Sequence, residues 1–436
     1  MRSVRGWVFI LLIFSLISRV GFSDTPPFLP NSTLTLQDVV AVALLHHPDI
    51  QAREGTLKAG MGRADQLHSD YYPQIGFDSS YNRGNYLGFT GPTSEIVSQQ
   101  VFTEYYSAFS TNWILEDWGK RHAEVEEGNG WIGMGKALLA EARNDVIFNA
   151  ADAYFKVLQA GKLTEVNRKL EEASRKRMEQ AAGFVKAGEK PKLEFLNAQA
   201  AYLSDHFNAL KAQEDLENAK AHLNSTMGIS NPPPYSVKTD LSVPPYTVEL
   251  AQAKALAFQR NPTLLWHKWD VARQRALVNE LKAQRWPVVS ANGSYGWADP
   301  TFPPGTQAWT LGVGLHWPIF DGNKLTHQIN ETEGDLKEAD NQEKSFRLKT
   351  EEDIEKNYLS YQSTRERLDV ANQELTDAEE ASRLADARYK VGLATFVEVT
   401  DAQARLAQAN FHQVQAITDL RISLSSLKHS IGLEEP

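Results

Sequence analysis

The chain has 436 residues, 42 % hydrophobic and 23 % charged, with a formal net charge of −10 and a mean hydropathy of −0.42. That length allows a sizeable core or several packed units, and that hydropathy excludes a polytopic helical membrane protein, which needs repeated apolar runs of about 20 residues. An acidic chain is a poor nucleic-acid binder, and the absence of cysteine removes disulfides, thiolate metal sites, a thiol nucleophile and the attachment point of a lipoprotein anchor.

Arg2 and Arg5 precede the apolar run 7–17, and Gly21 and Ser23 are small residues at the −3 and −1 positions of a cut after Ser23. This layout predicts a secretory signal peptide over residues 1–23, too short for a spanning helix. The segment holds Arg2, Arg5 and Arg19 and no acid, so its loss makes the remaining chain more acidic.

The remainder reads as two copies of one unit, 24–230 and 248–436, joined by a proline-rich linker at 231–247. His47-Pro48 matches Asn261-Pro262, and Tyr72-Pro73 matches Trp286-Pro287, at an offset of 214. Further along, Trp113 and Asp117 match Trp317 and Asp321, Gly188 matches Gly392, Asn197-Ala-Gln199 matches Asp401-Ala-Gln403, and Met227-Gly-Ile229 matches Ile431-Gly-Leu433, at an offset of 204. The first copy therefore carries ten extra residues between Pro73 and Trp113, in a stretch whose Gly, Asn and Ser content predicts an insertion-tolerant loop. In the linker, five prolines prevent a helix and favour an extended strap.

Each copy predicts the same elements. One helix covers about 35 residues, 35–71 and 248–285, and ends where an X-Pro pair drives the backbone out of the helical region. Two strands follow, with period-two alternation through Ile75, Phe77, Ser79 and Tyr81, through Tyr105, Phe109 and Trp113, and through Trp309, Leu311, Val313, Leu315 and Trp317. Trp at both ends of about nine residues fits a transmembrane strand with interfacial aromatic anchors, here Trp309, Trp317 and Trp113. An ordinary half-buried strand of a soluble sheet has the same alternation. Lys120–Lys186 and Lys324–Lys390 contain no proline and predict rods of about 100 Å each. In the second rod Tyr361, Leu368, Leu375, Ser382 and Tyr389 recur every seven residues, a heptad seam. Gly188 and Gly392 mark chain reversals, and a return helix over 395–430 repeats small residues at Ala402, Ala409, Ala416 and Ser423.

Four strands per chain cannot stand alone in a bilayer, because the edges of an open sheet leave unpaired backbone groups in hydrocarbon. Closed barrels begin at eight strands, so protomers must pool strands, as a dimer or a trimer.

The duplicated helix–strand–strand–helix unit, the Asn261-Pro262 pair, the Trp-Pro-Ile-Phe-Asp-Gly stretch at 317–322, the Tyr-Lys-Val-Gly-Leu at 389–393 and the Asp-Ala-Gln at 401–403 resemble the TolC family of outer membrane factors. The resemblance covers essentially the whole chain after the leader. It implies a mainly α fold with a transmembrane β-barrel: a homotrimer with a 12-stranded barrel among outer-membrane lipids and a coiled-coil α-barrel extending into the periplasm of a Gram-negative cell. It also implies a passive duct for efflux or type I secretion, fed by a periplasmic adaptor (membrane fusion protein) and an inner-membrane pump of RND, ABC or MFS type.

Glu398 and Asp401 lie just past the Gly392 reversal, three apart on one helical face, with Glu194 and Asn197 at the matching places in the first copy. By resemblance, the periplasmic entrance is narrowed at Glu398 and Asp401, and a carboxylate ring at a pore mouth favours cations. The same carboxylates also suit the first turns of a helix, where the macrodipole favours them. Ala394 stands where some members have an arginine that ties closed tips together, whereas Tyr389 is retained. Gly188, Val391, Gly392 and Leu393 form small, apolar tips suited to docking an adaptor.

Histidines are scattered, with no HExxH and no Gly-rich phosphate loop after a strand. No enzyme, cofactor or metal site is expected. The rival readings are a periplasmic adaptor, which needs one hairpin and a lipoyl-like segment, and a coiled-coil envelope scaffold, which needs no strands.

Overall fold

The computed structural model describes residues 29–90, 95–239, 246, 248–391 and 393–435. The expected signal peptide and Gly392 lie outside the described residues. In chain order, β1 (Ser32–Leu34), α1 (Leu36–His46), α2 (Pro48–Ser69), β2 (Gln74–Thr90), β3 (Glu95–Glu116), α3 (Lys120–Lys186) and α4 (Lys192–Thr226) come first. After β4 (Tyr235–Val237) the order recurs as α5 (Leu250–Arg260), α6 (Pro262–Ala283), β5 (Val288–Asp299), β6 (Gln307–His316), α7 (Lys324–Lys390) and α8 (Phe396–Ile431). Among the described residues no helix is long and apolar enough to cross a membrane.

The single helix expected over 35–71 is two helices. His47 has an extended ψ of 126°, because the ring of Pro48 excludes the helical region for the residue before it, while proline itself suits the first position of α2. Asn261 breaks the second copy in the same way before Pro262, and its side chain caps α6 by accepting from Leu264 N at 3.0 Å. Each break meets a glycine from the far end of its own copy. A Cβ on Gly228, at φ +70°, would come within 2.9 Å of His46 O, and one on Gly432, at φ +84°, within 2.8 Å of Arg260 O. The repeated X-Pro and Gly motifs are therefore the two sides of one contact.

α3 and α7 are the 67-residue rods that the proline-free stretches predict. Toward the strands the helices lie in the order α2-α3-α6-α7, and toward the reversals in the order α4-α3-α8-α7. Gly130 and Gly133 let α3 approach Arg273 and Trp269 of α6 closely. At the waist, α1 and the end of α4 pack on Val146–Leu158 of α3, and α5 packs on Ile354 and Tyr361 of α7 and Leu420–Ile431 of α8. The proline-rich strap is stapled at its start, since β4 pairs in parallel with β1 and Lys238 O accepts from the Tyr154 hydroxyl at 2.7 Å.

The sheet has the antiparallel order β2-β3-β5-β6, leaving β2 and β6 as edges. The insertion expected to form a loop between Pro73 and Trp113 is strand over 82–90 and 95–103: β2 and β3 stay paired out to Thr90↔Glu95, whereas β3 meets β5 only from Tyr105 onward. Gly, Asn and Ser do not prevent a ribbon whose backbone groups satisfy one another. The corresponding connection of the second copy, between β5 and β6, is confined to 300–306.

Candidate functional site

Two regions carry chemistry: the four-stranded sheet and the tips of the two helical hairpins.

Cross-strand register sorts the sheet into two faces. Ile75, Phe77, Phe109, Trp113, Tyr295, Trp309, Leu311 and Val313 share one face, with Phe77, Phe109, Tyr295 and Trp309 directly in line. Leu311 is 82 % exposed and Trp309 70 %, far from the burial of a soluble sheet's apolar side. The other face is small and polar, with Asn112, Asn292 and Gly312 in one row and Ser110, Ser294 and Thr310 in the next. Ser294 and Thr310 hydroxyls lie 2.9 Å apart.

The tryptophans named from the sequence do a second job at the corners. Trp113 Nε1 donates to Tyr71 O at 3.0 Å, and Trp317, just past the end of β6, donates to Arg285 O at 3.2 Å. Both indoles thus tie the end of a strand to the end of the helix that feeds the sheet. The matched aspartates cap the rods: Asp117 accepts from Arg121 N at 3.2 Å and Asp321 from Leu325 N at 2.8 Å. Only the first corner adds a buried ion pair, Arg121 Nε to Asp117 at 2.6 Å, with Arg121 also donating to Ile114 O.

At the first reversal Gly188 has φ +77°, and Glu189 N donates to Phe184 O at 3.0 Å. Pro191 begins α4 without a side-chain cap, so Glu194 is free to accept from Lys190 Nζ at 2.9 Å. Lys190 also donates to the Tyr389 hydroxyl at 2.8 Å and lies over the Tyr389 ring at 4.5 Å. Burial works against the Lys190 ammonium, but the bonds to Tyr389 and Glu194 outweigh it and raise its pKa. Sequence reasoning missed Lys190; the only local signal is its i,i+4 spacing to Glu194.

At the second reversal the matching acid has a different role. Glu398 is the third residue of α8 and forms a capping box: its backbone N donates to Thr395 Oγ1 at 3.3 Å and its carboxylate accepts from Thr395 N at 3.2 Å. Asp401 and Asn197 lie exposed one turn on. Val391 and Leu393 are 68 % and 70 % exposed. Between the hairpins a cavity of about 210 Å³ is lined by Arg177, Asp205, Phe396 and Gln403 among others. Burial lowers the pKa of Arg177 against the pull of Asp386 and Asp205.

The described residues hold no group of three or more His, Asp or Glu able to bind a metal ion.

A family model described as outer membrane efflux protein matches residues 39–229 and 255–433. The chain is similar to outer membrane protein TolC of Escherichia coli, 21 % identical over 436 residues and covering 95 % of this chain and 85 % of that protein. It is likewise similar to protein CyaE of Bordetella pertussis, 22 % identical over 422 residues, with 95 % and 87 % covered. Its fold matches the crystal structure of the Campylobacter jejuni CmeC outer membrane channel at a TM-score of 0.80, with 16 % identity and 91 % and 85 % covered.

Proposed function

This chain belongs to the outer membrane efflux protein family, and on that premise we propose that it is one protomer of a homotrimeric duct passing cargo from a periplasmic adaptor and an inner-membrane pump to the exterior. It is an outer membrane channel that conducts passively and transforms nothing. The observation that carries the reading is the pair of open edges on one sheet. Among the described residues the outer edges of β2 and β6 have no partner strand, and the exposed apolar face between them needs hydrocarbon, where an open edge is not tolerated. Three copies joined edge to edge give twelve strands, with the apolar face toward lipid and the small polar face toward water.

The helical layer supports the same closure. Leu196, Leu203 and Leu210 on α4 recur every seven residues and are 47–60 % exposed, while at the same level α7, at the other edge, exposes Val370 and Leu384, two heptads apart. A second copy whose α7 meets α4 buries both stripes as a coiled-coil seam. Two hairpins and a four-stranded sheet also differ from the adaptor reading, which needs one hairpin, and from the scaffold reading, which needs no sheet.

In this duct the tips form the periplasmic mouth. Glu398, Asp401, Glu194, Asn197 and Tyr389 narrow it, and Lys190 supplies from the first hairpin the cation that Ala394 lacks in the second. Gly188, Val391, Gly392 and Leu393 meet the adaptor. The test is export by cells carrying bulky replacements at Gly188 and Gly392: retained trimer with lost export supports docking there, and normal export refutes it.

A further inference from the structure

The small polar face of the sheet carries carboxylates and neither lysine nor arginine. In the alternating rows that contain Ser110 and Thr310, the residues of β2 are Gln74, Gly76, Asp78, Ser80 and Asn82, and they face Asn112, Ser110, Ala108, Tyr106 and Glu104 of β3 in register. The corresponding rows of β5 and β6 are Ser, Asn, Gly, Ala and Thr, closing at the helical end with Val288 opposite His316. Neither Lys nor Arg occurs among them. Asp78 is exposed on this face, and Ser110 Oγ donates to its Oδ2 at 2.8 Å across the strand pair, fixing the carboxylate against the wall. Glu104 stands two rows further out, opposite Asn82.

We infer that the β-barrel, and not only the periplasmic mouth, selects by charge: Asp78 sets a preference for cationic over anionic solutes inside the outer-membrane segment, with Glu104 reinforcing it toward the exterior. The inference rests on the duct reading, because the polar face becomes a lumen only when the sheet closes. Twelve strands about 4.8 Å apart and tilted by about 40° give a backbone radius of about 12 Å. Side chains, from Gly312 and Ser110 up to Tyr106, narrow this radius further, so the open lumen is comparable to or smaller than the roughly 8 Å Debye length at 0.15 M salt. Three carboxylates at one level therefore act on the whole cross-section at physiological salt, more strongly at low salt and hardly at all near 1 M, where screening shortens to about 3 Å. Anionic cargo meets a repulsive field that no wall cation offsets, while cationic and neutral cargo does not.

The test is the reversal potential of single channels in planar bilayers under a KCl gradient, comparing wild type with Asp78→Asn and Asp78→Lys. Asparagine keeps the shape and still accepts the bond from Ser110, so it removes charge alone. The expected result is a cation-to-anion permeability ratio at least halved by Asp78→Asn and reversed by Asp78→Lys at low salt. The Glu398→Gln, Asp401→Asn double variant should weaken the preference without abolishing it, and Asp78→Asn should weaken it further in that background. An unchanged ratio in both Asp78 variants would overturn the inference while leaving the duct standing. Absence of discrete conductance from wild type would overturn the duct and this inference together.

Discussion

Lys190 and Tyr389 are separated by 199 residues, yet the ammonium of one donates to the hydroxyl of the other at 2.8 Å, joining the tips of the two hairpins within one chain. Glu194 holds the same ammonium from its other side, so the link is a charge-assisted pair closed by a neutral hydroxyl. Such a bond contributes about 1.5–3 kcal/mol where it is shielded and less where water competes. Lys190→Met is expected to favour the open mouth by roughly tenfold, the equivalent of about 1.4 kcal/mol, and Tyr389→Phe by less. Single-channel recordings check this: longer or larger conductance in both variants agrees, and recordings identical to wild type contradict it.

Glu398 and Glu194 occupy matching places but play different parts. Removal of Glu398 by alanine breaks a capping box as well as deleting a charge, and loss of a cap costs about 0.5–2 kcal/mol. Glu398→Gln preserves the box, because an amide oxygen can accept from Thr395 N. Paired with Asp401→Asn it should raise conductance without loosening α8, whereas Thr395→Ala should loosen α8 without changing charge. Hydrogen exchange over 395–402 beside conductance separates the two effects; equal protection in Thr395→Ala and wild type would contradict the cap.

The corner at Arg121 gives a stability prediction. Arg121→Met leaves Asp117, only 5 % exposed, as an unpaired buried charge, at a cost of about 3–5 kcal/mol. The double change Asp117→Asn with Arg121→Met should cost less, since it also removes the carboxylate that the single change strands. Denaturation midpoints of the purified protein check the order: wild type highest, double variant next, single variant lowest.

Glu280 on α6 supplies a pH dependence. Burial, followed by the charge of Glu124, raises its pKa against the opposing pull of Lys120. A carboxyl with a folded pKa above its unfolded value binds its proton more tightly when folded, so its contribution is most favourable at low pH and is lost as pH rises through the folded pKa. Glu280→Gln should therefore raise the unfolding midpoint at pH 7.5, with the gain disappearing below about pH 4. A gain that persists at low pH would assign the effect to packing instead.

Much of this architecture is legible in one sequence. The rods could be placed to the residue because proline is absent over 120–186 and 324–390, and the X-Pro, Trp and Asp matches marked the corners before their contacts were visible. The break at His47 escapes periodicity, which is helical on both sides; only the backbone restriction before Pro48 interrupts it. β1 and β4 have three residues each, too few for a period of two to register. The paired stretches 82–90 and 95–103 read as loop because their composition is that of turns, while backbone pairing decides otherwise. Of the tip residues, Glu398 and Tyr389 follow from motif and spacing, but Lys190 does not, because its partner arrives from the other half of the chain. Asp78 is likewise mute in sequence; alternation places it opposite Phe77, and only the register with β3, β5 and β6 reveals that no cation shares its face.

The most direct measurement is the mass of the detergent-solubilised particle from outer membranes, taken on the same sample that is then reconstituted in planar bilayers. Closure of β2 against β6 of a neighbour predicts a three-chain particle giving discrete conductance steps. A monomer that leaves the membrane without detergent and conducts nothing would contradict it.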